Sequence, residues 1–146
     1  MQETLKKSFK NNYEISGDKI KLNQFIKEIK QKAILLTNNE LEVNIDNSIS
    51  YIKVNIQYLC AALKETIFDI QYTYQTIKIN VSIYKQINEN LSISICSQIK
   101  GFDVKIINQL LINFVTELHN GQTSIEYKND VLTIIITLPN YRIINS

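Results

Sequence analysis

The sequence predicts an α+β fold, a two-layer α/β sandwich in which one mixed sheet carries about three helices on one face. Three observations lead there. Three stretches repeat apolar residues at helical spacing, and others alternate apolar and polar residues with the period of a strand. The two kinds interleave as helix, strand, helix, strand, strand, helix, strand, strand, with turn-forming residues between them.

Residues 1–17 are polar, end at Ser16 and Gly17, and read as a flexible N-terminal segment ahead of a single domain over residues 18–146. Asp18 is placed to cap a helix over residues 19–36. Leu22, Phe25, Ile26, Ile29, Ala33 and Ile34 make its apolar face. Lys21, Lys27, Glu28, Lys30 and Lys32 fall mainly opposite and read as a solvated face rather than a basic patch. Thr37, Asn38 and Asn39 are turn residues, residues 41–45 alternate as a short strand, and Asp46, Asn47 and Ser48 turn the chain again. A second helix is predicted over residues 53–71, with Ile56, Leu59, Cys60, Leu63, Ile67 and Ile70 inward.

A strand over residues 76–83 alternates through Ile77, Ile79, Val81 and Ile83. Asn88, Glu89 and Asn90 turn it into a second strand, where Leu91, Ile93 and Ile95 alternate against Ser92, Ser94 and Cys96, so the pair reads as an antiparallel hairpin. That strand runs into a loop closed by Gly101. A third helix is expected over residues 103–119, with Asp103 as its acidic start and Ile106, Ile107, Leu110, Leu111, Phe114, Val115 and Leu118 inward. Asn120 and Gly121 stop it. A last hairpin joins residues 123–127 to residues 131–138 through a turn at residues 128–130, and Pro139 ends it.

With 146 residues the chain has room for one domain with a real core, and 45% hydrophobic with 21% charged residues is ordinary for a globular protein. A net charge of +2 is too small to argue for nucleic acid. No apolar run approaches the ~20 residues that cross a bilayer, and the N-terminus does not read as a signal peptide, so a cytoplasmic protein without a membrane partner is expected. Cys60 and Cys96 lie far apart in apolar segments and read as buried free thiols. Glu65 and Asp69, four apart on the second helix, read as a solvated face, and Tyr51, Tyr58, Tyr72, Tyr74 and Tyr84 as core or edge packing. No Ser-His-Asp set, Cys-His pair, phosphate-binding glycine loop or zinc spacing is present.

Over residues 20–139 the order of elements and several phrases resemble the ATP-binding domain of sensor histidine kinases, the GHKL fold. The run Leu118-His119-Asn120-Gly121, then Ser124-Ile125, then the apolar strand into Pro139, is similar to that family's ending. Ile70-Gln71-Tyr72-Thr73 looks like the end of the helix that carries its magnesium-binding Asn. The resemblance puts Lys64 and Phe68 at the two Asn positions; a phenyl ring offers no oxygen ligand and an ammonium repels the metal. It puts Ser97-Gln98-Ile99-Lys100-Gly101 where the family has Asp-x-Gly-x-Gly, so only Gly101 matches, and Ile99 fills the space where the first glycine admits the base. Phe102, Asp103 and Val104 lead directly into the expected helix, which leaves no loop to cradle phosphates.

A degenerate site of this kind resembles the C-terminal domain of bacterial histidine phosphotransferases, which similarly keeps Lys-Gly after the strand, as Lys100-Gly101 does. That resemblance implies a domain without cofactor, metal or catalytic residue, acting by protein contact in two-component phosphorelay signalling. Its partner would be a response-regulator receiver domain or a separate protein bearing a histidine on a helical hairpin, met near Lys100, Gly101 and Phe102. Any phosphotransfer would need that separate hairpin, because the only histidine, His119, sits at a helix-end turn and reads as structural. Two alternatives stay open: a divergent GHKL ATPase or kinase domain that still binds ATP, and the remnant of a split phosphotransferase gene.

Overall fold

In the computed structural model residues 14–34, 40–74, 78–103 and 109–145 are described. The alternating stretches build a five-stranded mixed sheet from β2 (Glu40–Ile45), β4 (Lys78–Lys85), β5 (Leu91–Gln98), β6 (Gln122–Lys128) and β7 (Val131–Leu138), in the order β2-β4-β5-β7-β6. β2 and β4 run parallel, because a helix carries the chain back between them; the other pairs are antiparallel. Register places Val81 opposite Ile95, and Ile95 opposite Ile134, so the apolar residues form rows across the three central strands. Ile79, Val81, Ile83, Leu91, Ile93, Ile95, Leu132, Ile134, Ile136 and Leu138 are all buried on that face. Ser82, Ser94, Thr133 and Thr137 occupy the other face.

The predicted turns hold by their backbone chemistry. Glu89 takes a positive φ of 72° between β4 and β5. Asn129 and Asp130 take 52° and 62° between β6 and β7, the two successive left-handed residues that match the twist of a tight hairpin.

Among the described residues the α-helices are α1 (Leu22–Ile34), α2 (Ile56–Tyr74) and α3 (Leu110–Leu118), with α2 packed between the other two. Leu59, Cys60, Leu63, Ile67 and Ile70 of α2 are buried as expected, and Ile56 is half-buried.

Both of the first two helices start later than expected, because a short strand precedes each. β1 (Asp18–Lys21), β3 (Tyr51–Val54) and a two-residue β8 (Ile143–Ile144) form a separate antiparallel sheet in the order β1-β3-β8. Asp18 therefore pairs with Val54 across the sheet and does not cap α1; the first N–H of α1 donates instead to the Ser50 carbonyl at 3.1 Å. The cause is tertiary: Ile20, Ile52 and Val54 are buried, and that burial outweighs the helix propensity of the lysines between them.

α3 also differs. It begins at Leu110, so Asp103 is not its first residue, and the expected positions Ile106 and Ile107 lie outside the described residues. Leu110 and Phe114, expected inward, are 80% and 60% exposed, while Ile112, Val115 and Thr116 face the core. The helix is apolar on most of its circumference, so period alone selects no face.

Residues 1–13 of the segment expected to be flexible, the turn at 37–39 and the strand start at 76–77 lie outside the described residues. Residues 14–17 of that segment are held: the Ile15 N–H donates to the Leu118 carbonyl at 2.7 Å, and Gly17, at φ +75°, lies so close to Val54 that a Cβ there would come within 2.5 Å of its carbonyl carbon. Beyond Pro139 a 3-10 turn (Asn140–Arg142) leads into β8; neither is expected from the sequence. Among the described residues no helix is long and apolar enough to cross a membrane.

Candidate functional site

The candidate site is the window that follows β5, together with the end of α2 that faces it. Ser97, on β5, is 2% exposed, and its hydroxyl donates to the Lys78 carbonyl of β4 at 3.0 Å. Ile99 is 4% exposed and packed in the core. Its N–H donates to the Asp130 carbonyl at 2.8 Å, and its own carbonyl accepts the Tyr127 hydroxyl at 3.0 Å. The chain leaving β5 is thus fastened to the β6–β7 hairpin through main-chain groups at Ile99.

Beyond it, Lys100 and Gly101 are exposed. Gly101 adopts φ +70°, which only a residue without Cβ takes at no cost, and a Cβ there would have no atom within 4 Å. Phe102 is half-buried between two tyrosines, 5.3 Å from the ring of Tyr127 and 6.0 Å from that of Tyr74. Both pairs are tilted, by 44° and 41°, an arrangement that suits the ring quadrupoles. The Asp103 N–H donates to the Tyr74 hydroxyl at 3.1 Å. Tyr74 is the last residue of α2, so this contact ties the window to that helix.

Lys64 and Phe68 lie farther back on α2. Lys64 is half-buried; Phe68 is exposed and stacks on Tyr72 at 5.9 Å with 17° between the planes. The structure thus brings Ile99 and Phe102 to Tyr127, and Phe102 and Asp103 to Tyr74, while Ser97 turns to β4 and Phe68 pairs with Tyr72. The anchoring tyrosines come from α2 and β6, and nothing in the window's own sequence points to them.

The expected direct entry from Phe102 and Asp103 into a helix falls in the connection between β5 and α3, of which Phe102 and Asp103 are described and are not helical. Residues 104–108 of this connection lie outside the described residues.

Elsewhere, Cys60 is buried and Cys96 half-buried, and neither is in a disulfide. Among the described residues no group of three or more His, Cys, Asp or Glu is arranged to hold a metal. A cavity of about 320 Å³ lies between the start of α1 and the turn after β2, bordered by Lys21, Asn47 and Tyr51; it shares no residue with the window.

His119 is fully buried at the end of α3. Nδ1 lies 2.8 Å from the Val115 carbonyl, and Nε2 accepts the N–H of Asn55 at 3.0 Å, which fixes the neutral tautomer with its proton on Nδ1. Burial holds its pKa below the ordinary histidine value; the bond to Val115 opposes this, and the nearby Arg142 charge reinforces it. The ring joins the end of α3 to the residue before α2, a structural position as expected.

No family model matches the chain, and no curated protein matches it. Solved structures do. The ATP binding domain of PrrB from Mycobacterium tuberculosis is 15% identical, with a TM-score of 0.67 over 86% of this chain and 98% of that one. The catalytic domain of histidine kinase ThkA, in a nucleotide free form, is 12% identical, with a TM-score of 0.66 over 86% and 97%. The histidine kinase domain of the E. coli osmosensor EnvZ is 13% identical, with a TM-score of 0.66 over 86% and 90%. At these identities the likeness shows the fold, which is that of the GHKL-type ATP-binding domains of histidine kinases.

Proposed function

We propose that this chain is a GHKL-fold domain that does not bind ATP and that acts by protein contact in two-component phosphorelay signalling, in the manner of the C-terminal domain of bacterial histidine phosphotransferases. The observation that carries the reading is the state of the window after β5. The position where the resemblance calls for an adenine-binding carboxylate holds Ser97, whose hydroxyl is turned to the neighbouring strand. The position of the first glycine holds Ile99, buried in the core with both main-chain groups engaged. Freeing room for a base there means withdrawing a buried isoleucine, at a cost of about 2–3 kcal/mol before any contact with nucleotide is made.

On this reading the domain spans residues 18–146, works in the cytoplasm, has no cofactor and no catalytic residue of its own, and meets a receiver domain or a histidine-bearing helical hairpin. Lys100 and Gly101 offer the exposed part of the contact, and Phe102, clamped by Tyr74 and Tyr127, holds them in place. Calorimetric or NMR titration with ATP and magnesium tests the first half: no saturable binding is expected, and micromolar affinity refutes it. Capture of receiver domains by the purified protein, lost on Lys100→Glu, tests the second half; capture that is indifferent to this substitution moves the contact elsewhere.

A further inference from the structure

Arg142 is the only arginine of the chain, and it is 1% exposed. A guanidinium has five N–H donors in a fixed fork, and a buried one is costly unless all are met. Here all five are. Nε donates to the His119 carbonyl at 3.1 Å. Nη1 donates to the carbonyls of Ser16 and Lys53, each at 2.9 Å. Nη2 donates to the Ile15 carbonyl and to the Glu14 carboxylate, the latter at 3.0 Å as an ion pair. The Tyr141 hydroxyl also donates to Glu14 and accepts from the Asn120 side chain. Three of the five acceptors thus come from residues 14–16, one from β3 and one from the end of α3.

We propose that residues 14–17 form a strap whose docking on Arg142 is a conformational switch built into the fold. Docked, it completes the guanidinium's hydrogen bonds and is pressed on β3 at Gly17 and Val54. Released, it strips three of the five donors of their protein acceptors. The 3-10 turn that presents Arg142, the β3–β8 pairing and the His119 end of α3 then lose their common anchor together. Because His119 also holds the Asn55 N–H, the loss reaches the start of α2. Displacement of the chain ahead of Glu14 is in this way transmitted to one end of the helical layer, while the five-stranded sheet stays closed.

Native-state hydrogen exchange on the full chain tests this. In low denaturant, the amides of Ile15, Asn55 and the β3–β8 pair are expected to share one opening, distinct from and cheaper than that of β4, β5 and β7. Arg142→Lys, which cannot meet five acceptors, is expected to raise exchange at these amides together by tenfold or more and to leave β4, β5 and β7 unchanged. Glu14→Gln keeps every main-chain acceptor and is expected to do the same by a smaller factor, so the test stands if the Arg142 variant does not fold. Exchange at the strap alone, or at these amides only through unfolding of the whole domain, overturns the proposal.

Discussion

Acid is expected to destabilise this domain through one imidazole, and the size of the effect follows from its two bonds. Nε2 of His119 accepts the Asn55 N–H, so a proton placed there must evict that donor inside the core and set a second charge near Arg142. The folded protein therefore holds this ring neutral, with its pKa below the ordinary 6.5, whereas the unfolded chain takes up a proton near 6.5. The unfolded state binds more protons in the interval between these two values. The stabilisation is thus fully present above about pH 6.5 and is lost as pH falls from there toward the folded pKa, at up to about 1.4 kcal/mol per pH unit. Urea unfolding from pH 7.5 to 4.5 at fixed ionic strength, for the wild type and His119→Gln, isolates the effect, because the carboxylates titrate in both proteins. The variant is expected to be about 1–3 kcal/mol less stable at pH 7.5, from the hydrogen bonds it cannot reproduce. That gap should narrow steadily below pH 6.5. A gap that stays constant across the range would refute the reasoning, since it would mean that the charged ring is tolerated where it sits.

Two further outcomes follow from the same geometry. Gly121→Ala puts a Cβ within 2.4 Å of the Thr137 carbonyl oxygen and 2.6 Å of Leu138 Cδ2, and should cost about 2–4 kcal/mol, whereas Gly101→Ala meets open space and should cost about 1 kcal/mol, from its positive φ alone; equal losses in thermal melts would contradict the contrast. Tyr127→Phe keeps the ring against Phe102 but removes the donor to the Ile99 carbonyl, so a loss of about 1 kcal/mol with faster amide exchange around Ile99 and Asp103 is expected, and unchanged exchange there would show that the window is held by other contacts.

The parts of this fold that can be read from sequence are those whose partners are near in the chain. β4–β5 and β6–β7 announce themselves by period two and by Asn, Asp and Glu at their turns, and α2 by its 3.6-residue stripe. The small sheet does not, because Ile20, Ile52 and Ile143 each sit in a run of two to four residues whose partners are thirty or more positions away, and two of those runs lead into stronger helical patterns. The face of α3 is unreadable for a different reason, since a helix apolar on nearly every side carries no phase. At the site, Ser97, Ile99 and Gly101 stand out in the sequence, but the clamp on Ile99, Phe102 and Asp103 depends on Tyr74 and Tyr127 from other elements. Arg142 did leave a signal: a chain that otherwise takes lysine for its positive charge uses arginine once, at the position where a rigid five-donor fork is required.

The pairing of β3 with β8 has a consequence for synthesis. Residues 51–54 leave the ribosome long before residues 143–144, so through most of translation the nascent domain presents an unmatched strand margin. Hairpins and helices behind it are free to form in the meantime. A polypeptide stalled just short of Arg142 would carry a finished main sheet beside that open margin, a species prone to stick to its copies, and the codons for residues 143 and 144 are what remove the hazard.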